Sequence, residues 1–393
     1  MVQKYLKPHK KFISRSKIKD LLFLEDKEFD ELVTLLGIFP YVAKKSQKLD
    51  ITSDFYYKIS DYEKIKSSEI FKTFKSNKSK LRKKEKYEKQ GLFTKASKFQ
   101  EEEYNFINLL KDRFNSFGKA VDEMSSSLSS LCLANKLELD DEIPKVLEDF
   151  KNFVIENKLL TKGFMSKKGV YYQVNIQNIK VIWLNPYNGD NLKEIIEIKK
   201  DEPVKFKWSE LNFLDFASEE EDESSEIEYV KSDKLDVSLL SYAIPFQKYH
   251  LKLVLHKLNL MSLKQENNIF EGLKFSIFCD NLVDDLIFVI KSCSGLIDDV
   301  NFDICLGENF DEILEDKFYC HPQYVFDCLN SGCKLDIKKY LVGKSLPKHK
   351  SPFELGNFVD PDALISLSKN KRNKLQDIID GFEDVHYKNK KQQ

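Results

Sequence analysis

Residues 270–353 constrain the fold more tightly than any other part of this 393-residue chain. The run Phe270-Glu271-Gly272-Leu273-Lys274-Phe275 places a glycine where a short strand must pass close to its neighbours. Apolar residues then recur at Leu282, Leu286, Val289 and Cys293, the spacing of a helix with one face to bury. Ser294-Gly295 closes that helix, because glycine takes a left-handed cap cheaply. Residues 296–300 and 302–306 read as strands. Tyr319-Cys320-His321-Pro322 predicts another strand, then a helix with proline at its first position. Strands alternating with helices over about 85 residues predict a small parallel sheet flanked by helices.

The net charge of −1 conceals a strong segregation. Residues 1–100 carry 25 Lys/Arg against 13 Asp/Glu, a balance of +12, whereas residues 215–228 carry eight acidic residues and no basic one. The first imbalance points to an anionic partner and the second to a solvated spacer. Nothing approaches the roughly 18 unbroken apolar residues of a membrane span. The Lys-rich start lacks the apolar core of a secretory signal. Six of the seven cysteines fall between Cys279 and Cys333. Without a secretory signal they read as reduced, buried small hydrophobes, placing the chain in the cytosol or nucleus.

Along the chain, a helix over residues 17–23 precedes one with Asp26 as its cap and Phe29, Leu32, Val33 and Leu36 inward, stopped by Gly37 and Pro40. Phe55-Tyr56-Tyr57 reads as an aromatic anchor. Ile107, Leu110, Phe114, Phe117, Val121, Met124, Leu128 and Leu131 step by alternate threes and fours, which fits a coiled coil. The serines at 125–127, 129 and 130 argue instead for two core helices broken near residues 115–118, with Ser116 capping the second. Pro144 opens a further helix with Leu147, Phe150 and Val154 inward. The period then switches to two, and residues 171–176, Gln177-Asn178 and 179–184 predict a β-hairpin. Residues 235–263 carry both strand-like and helix-like spacing and are taken as helix; another helix is expected over 361–382, before a basic end. The fold class is therefore α+β: a helical N-terminal domain with a β-hairpin, an acidic linker, and an α/β domain with a small parallel sheet. The corresponding boundaries are 1–214, 215–268, 269–353 and a short tail, 354–393.

The strongest candidate site is the basic run Lys75, Lys78, Lys80, Arg82, Lys83, Lys84, Lys86 and Lys89, too dense for one helix face. Each such side chain that meets a phosphate releases condensed counterions, and Phe71, Phe74, Tyr87 and Phe93 offer faces for unpaired bases. A solvated lysine-rich face or a nuclear import signal is the plain alternative. A second candidate is the hairpin region, where Tyr171, Tyr172, Trp183 and Tyr187 give a partner-binding surface. Alternation puts Tyr171 and Tyr172 on opposite faces, so a single-sided core takes only one of them. Zinc binding by Cys320, His321, Cys328 and Cys333 fails on ligand spacing, so no metal is expected. The pairs Asp140-Asp141, Asp284-Asp285 and Asp298-Asp299 read as helix and turn caps. No nucleophile–base constellation stands out, so neither catalysis nor a cofactor is expected.

Residues 270–353 resemble a BRCT domain, and the run from Tyr340 to Phe353, with Val342-Gly343-Lys344-Ser345 at its centre, resembles that of the pescadillo family. Ile13-Ser14-Arg15-Ser16-Lys17, Leu36-Gly37-Ile38-Phe39-Pro40, Leu81-Arg82-Lys83-Lys84, Lys168-Gly169-Val170-Tyr171-Tyr172-Gln173 and Trp183-Leu184-Asn185-Pro186-Tyr187 are similar to the family's blocks, in its order. The resemblance covers roughly 14–187 and 269–353. Tyr324 stands where a BRCT domain usually carries tryptophan, residues 188–268 match poorly, and the family's long Lys/Glu-rich tail is cut to about 40 residues. The resemblance implies a non-enzymatic scaffold in large-subunit ribosome assembly, in the nucleolus and nucleoplasm. It would bind precursor ribosomal RNA and two WD-repeat proteins, with the hairpin region as a docking place for the latter. The alternative is a nuclear BRCT adaptor reading phosphorylated partners in DNA repair. Against it, Phe278-Cys279 occupies the place of the phosphate-binding hydroxyl residue, and phenylalanine has no hydroxyl to offer.

Overall fold

The computed structural model describes residues 12–42, 55–188, 196–197, 235–279, 282–308, 310, 316–353, 368 and 370. The acidic stretch lies outside them, and so does the helix expected over 361–382 apart from residues 368 and 370. The chain separates into two compact units, Met1–Ala120 with Ile196–Lys257, and Val121–Ile195 with Leu258–Gln393. Both cut across the division expected in sequence order.

The first unit begins with strand β1 (Phe12–Ser14), helix α1 (Arg15–Leu22) and helix α2 (Asp26–Leu36). Ser14 both ends β1 and caps α1, its Oγ accepting from the Lys17 N–H. The cap of α2 is Glu25, one residue before the expected Asp26, in a reciprocal box with Glu28. Asp26 instead pairs with Arg15 and Lys19 at 3.0 and 2.6 Å. Gly37 ends α2 at φ +66, a left-handed position where a side chain would be strained, and a Cβ there would sit 2.6 Å from Arg113 Nε.

The aromatic anchor Phe55-Tyr56-Tyr57 is a strand, β3 (Phe55–Lys58), central in a three-stranded antiparallel sheet between β1 and β2 (Tyr41–Val42). Tyr56 and Tyr57 are fully enclosed. Helices α3 (Ile59–Ser67), α4 (Glu69–Lys89), α5 (Phe93–Ala96), α6 (Phe106–Arg113) and α7 (Phe117–Asp122) follow. The break between α6 and α7 falls where expected, and Ser116 Oγ accepts from the Lys119 N–H at 3.2 Å. The seam is thus not one coiled coil; its chain continues as α8 (Met124–Lys136) in the second unit.

After a short parallel pair, β7 (Ile196–Glu197) and β8 (Leu235–Asp236), the ambiguous stretch after residue 235 resolves mostly as helix α10 (Val237–Asn259). Its His250 is enclosed, with Nε2 donating to the Ala120 carbonyl at 2.8 Å, since a carbonyl can only accept. Arg113 donates to the Phe246 carbonyl at 2.9 Å and anchors α10 to the α2–α6 pair.

The second unit joins α8 and α9 (Ile143–Asn157) to two sheets. The expected hairpin is present as β5 (Gly169–Ile176) and β6 (Ile179–Pro186), with Gln177 and Asn178 both at positive φ in the two-residue turn. A third strand, β4 (Leu160–Met165), pairs antiparallel with β5. The outer edge of β6 meets α8: the N–H groups of Ile182 and Leu184 donate to Ser125 and Ser129 Oγ at 3.1 and 3.2 Å. Those serines, four residues apart on one helix face, satisfy an edge strand that would otherwise invite a second chain.

The expected parallel sheet is present in the order β10-β9-β11-β12: β9 (Lys274–Phe278), β10 (Leu296–Ile297), β11 (Ile304–Gly307) and β12 (Phe318–Cys320), flanked by α11 (Val283–Ser292) and α12 (Gln323–Ser331). Two glycine expectations change. Gly272 sits in an open turn at φ +78 with no neighbour near its Cβ position. The left-handed residue after α11 is Ser294, at φ +67, while Gly295 is required because a Cβ would lie 2.6 Å from Ile290 Cγ2. Val300 is not in a strand but exposed in a turn held by Asp298.

The two sheets of this unit share contacts. Gly163 of β4 exchanges two hydrogen bonds with the Asn330 amide, 3.0 and 2.8 Å, and its missing Cβ leaves room for the Phe326 ring, which would lie 2.9 Å away. Asp285, expected as a helix cap, is instead enclosed in the first turn of α11, where it accepts from Tyr172 Oη at 2.5 Å and Asn185 Nδ2 at 2.7 Å.

His250 carries a testable consequence. Burial pushes its pKa down to about 3, Arg113 adds to the shift, and only the Ala120 carbonyl opposes it. The unfolded imidazole takes a proton near 6.5, so the folded chain loses stability as pH falls from 6.5 toward 3. Thermal melts at pH 7 and pH 5 should show a smaller acid loss for His250→Gln than for the wild type, within a limit of about 1.4 kcal/mol per pH unit. Equal acid losses would count against a neutral buried His250.

Candidate nucleic-acid interface

The basic run lies on α4, which has no glycine or proline over its 21 residues and spans about 30 Å. Ser68 caps it through the Phe71 N–H at 3.2 Å. Glu69 stands in the first turn and Lys86 and Lys89 in the last, each matched to the helix dipole. Ile70 and Phe71 are buried, which roots the N-terminal half in the first unit.

At about 100° per residue, Lys75, Lys78, Arg82, Lys86 and Lys89 fall on one face, within an arc of about 80°. Lys80, Lys83 and Lys84 lie on the other side. The eight therefore form one five-residue stripe and a smaller flank. The stripe is tied down at its root: Lys78 pairs with Glu28 at 2.7 Å, and Lys75 lies 4.3 Å from the Phe71 ring centre. Burial works to raise the Glu28 carboxyl, but the Glu25 N–H, Lys78 and Arg82 hold it below its usual range. On the flank Lys80 pairs with Glu102 at 2.7 Å. Toward the tip Lys83, Lys84, Lys86 and Lys89 form no ion pair with a described residue, and Arg82 is exposed.

The four aromatics divide. Phe71 is buried, Tyr87 stacks on Phe99 at 5.7 Å, and Phe74 is half-buried in a cleft of about 750 Å³ with Tyr104 and Glu31. Burial in that region, with Glu31 nearby, pushes the Tyr104 phenol up to about 12. Phe93, in α5 just past the tip of α4, is 69% exposed and is the one of the four whose ring is open to a base.

The hairpin aromatics occupy different surroundings. Tyr172 and Trp183 are cross-strand partners on β5 and β6, 5.3 Å between ring centres, and both are buried. They pack against Phe288 of α11, and Trp183 also against Phe150 of α9. The elements of this unit enclose the two rings, so neither is presented to a partner. Tyr171, on the opposite face, is half-buried against Phe353 at 6.2 Å, and Tyr187 keeps part of its surface. What covers these rings is the α8–α9 pair and the parallel-sheet half of the unit, residues distant in sequence.

Of the six clustered cysteines Cys293, Cys305, Cys320 and Cys328 are buried as expected, whereas Cys279 is half-buried and Cys333, past the end of α12, is exposed. Asp140 and Asp298 cap turns, accepting from the Glu142 N–H and from the Val300 and Asn301 N–H groups. Cys320 ends β12 and Cys328 sits on α12, where its Sγ accepts from the Leu335 N–H. Burial raises both thiols, Cys328 to about 11. Among the described residues no group of three His, Cys, Asp or Glu side chains is placed to hold a metal ion, and no helix is long and apolar enough to cross a membrane. Phe278, at the end of β9, is 62% exposed.

The joint at Asp285 separates a structural from a docking role for Tyr172. Asp285→Ala strands the Tyr172 hydroxyl and Asn185 amide and should cost about 2–4 kcal/mol in chemical denaturation. Asp285→Asn keeps an oxygen for both donors and should cost less. Burial raises the Asp285 carboxyl against the hydrogen bonds of Tyr172 and Asn185, so its charge becomes a burden as pH rises, and the Asn variant should gain on the wild type from pH 4 to pH 8. A loss below about 0.5 kcal/mol for Asp285→Ala would mean that the joint does not hold the unit together.

The description "Pescadillo N-terminus" fits residues 3–217 of the chain, more than half its length. The Pescadillo homolog of Xenopus laevis is 23% identical over 440 aligned residues, covering 92% of this chain and 75% of that protein. That of Brugia malayi is 26% identical, over 87% of this chain and 74% of its own length. The Saccharomyces cerevisiae homolog is 23% identical, over 90% and 75%.

Proposed function

This chain belongs to the pescadillo family of ribosome-biogenesis factors, and on that footing we propose that it is a non-enzymatic scaffold of large-subunit assembly that holds precursor ribosomal RNA through α4. The observation that carries the reading is the stripe of Lys75, Lys78, Arg82, Lys86 and Lys89, anchored at its root and unpaired toward its tip beside the open ring of Phe93. Cations spaced along a pre-formed helix meet a phosphate backbone without the cost of ordering the main chain, and an adjacent aromatic adds stacking on an unpaired base.

The all-parallel sheet, with its order β10-β9-β11-β12, supports reading residues 269–353 as the family's BRCT domain. The N-terminal domain would then run over 1–214, the connecting segment over 215–268 and the tail over 354–393. Two WD-repeat assembly proteins are the expected partners, with Tyr171 and Tyr187 the hairpin residues that retain surface for them. The expected compartment is the nucleolus and nucleoplasm.

Because Lys78 and Lys80 serve ion pairs within the unit, charge reversal belongs at the tip. Arg82→Glu with Lys86→Glu and Lys89→Glu should flatten the plot of log affinity for a structured RNA against log salt, by about 0.7–0.9 for each lost phosphate contact. Melting should stay close to wild type, as all three side chains are exposed. An unaltered slope would remove α4 from the RNA interface.

A further inference from the structure

The second unit carries its own concentration of lysine. Residues 334–350 hold six lysines and one acidic residue, Asp336, and residues 162–168 hold three lysines and none acidic. The fold brings these two runs together. The Met165 N–H donates to His349 Nε2 at 3.3 Å, the Phe164 ring stacks on His349 at 4.6 Å, and Lys162 Nζ reaches the Pro352 carbonyl at 2.8 Å. The β4–β5 turn, with Lys167 and Lys168, therefore lies beside the segment bearing Lys344, Lys348 and Lys350.

Both pieces are held rather than loose. Ser166 Oγ accepts from the Lys168 and Gly169 N–H groups at 3.2 and 3.3 Å, which sets the turn. The later segment is pinned by the Val342 N–H to the Tyr319 carbonyl, by the Gln323 amide to the Pro347 carbonyl, and by the bridge from Leu341 to Cys320. The half-buried carboxylate of Asp327 is already occupied by other groups. Asp327 is engaged by Tyr340 Oη, Gln323 Nε2 and His349 Nδ1, at 3.0, 3.0 and 3.1 Å. Lys168, Lys344 and Lys350 are exposed and pair with no described carboxylate.

We infer that the β4–β5 turn and the 334–350 segment together form a second RNA-binding surface that grips the phosphate backbone. Because both backbone segments are already held, a polyanion that binds here has to order only the lysine side chains and not the loops that carry them. The named residues here are lysines without an exposed aromatic such as Phe93, so the surface suits backbone contact, indifferent to sequence, rather than stacking. The inference rests on the RNA reading only for the identity of the polyanion, since α4 lies in the other unit. Two modest surfaces on one chain, engaged on one RNA, multiply through effective concentration.

The test uses the full chain and a fluorescent RNA hairpin of mixed sequence, titrated across salt. Lys168→Glu with Lys344→Glu and Lys350→Glu should weaken binding by about tenfold or more near 150 mM salt and lower the log–log slope by roughly two. The corresponding glutamine triple serves if the glutamate triple melts early, and it too must lose affinity. Wild-type affinity and slope in a folded variant would overturn the inference. So would retained RNA binding with lost binding of a polyglutamate peptide, which would assign the surface to an acidic protein. If this triple keeps its affinity while the α4 triple loses it, the second surface falls and the proposed function stands. The reverse result leaves the second surface and removes α4.

Discussion

A buried carboxylate with two donors fixes the architecture of the second unit. Asp285 projects from the first turn of α11, and the two groups that satisfy it, Tyr172 and Asn185, come from adjacent strands of a different sheet about 100 residues earlier. A carboxylate removed from water is costly unless hydrogen-bonded, so its donors are required and α11 has one seat on the hairpin. Around this polar point the apolar packing is continuous, through Tyr172, Trp183, Phe288 and Phe150. On the other side Gly163 admits Phe326 and exchanges two hydrogen bonds with Asn330, one donated and one accepted. The parallel sheet is thus one half of a core whose other half is the α8–α9 pair with the β4–β6 sheet.

The parts of the fold legible in the sequence are those whose signal is local. The hairpin declared itself by strict alternation and by Gln177-Asn178, which both adopt positive φ. The α2, α9 and α12 helices declared themselves by apolar spacing and by Gly37, Pro144 and Pro322 at their ends. What stayed hidden depends on partners far along the chain. Strand β4 has the glycine of a loop, and its real cause is the Phe326 ring above Gly163. The serines of α8 look like weak helix formers; two of them, Ser125 and Ser129, receive edge N–H groups of β6. Asp285 looked like a cap because it stands in a first turn, and no local pattern announces that its acceptors are spent on Tyr172 and Asn185.

The candidate interfaces show the same division. The density of the basic run was visible, but its splitting into a stripe and a flank required the helix, and its rooted and free ends required Glu28 and Glu102. The hairpin aromatics were conspicuous in composition, and that composition is what a doubly covered sheet needs. Alternation placed Tyr171 and Tyr172 on opposite faces, and both faces found cover within the same unit, one beneath Phe288 and the other against Phe353.

The discontinuity of the second unit has a consequence in time. Its helices and hairpin are complete by Pro186, yet Phe288, Phe326 and Phe353 emerge from the ribosome 100 to 167 residues later. At synthesis rates of about 5–20 residues per second, the face around Tyr172 and Trp183 waits on the order of ten seconds for its cover. During that interval the nascent chain presents a hydrophobic sheet with unfinished hydrogen bonding, the kind of surface that chaperones hold. Maturation of this protein is therefore governed by when its last third arrives as well as by how stably that third packs.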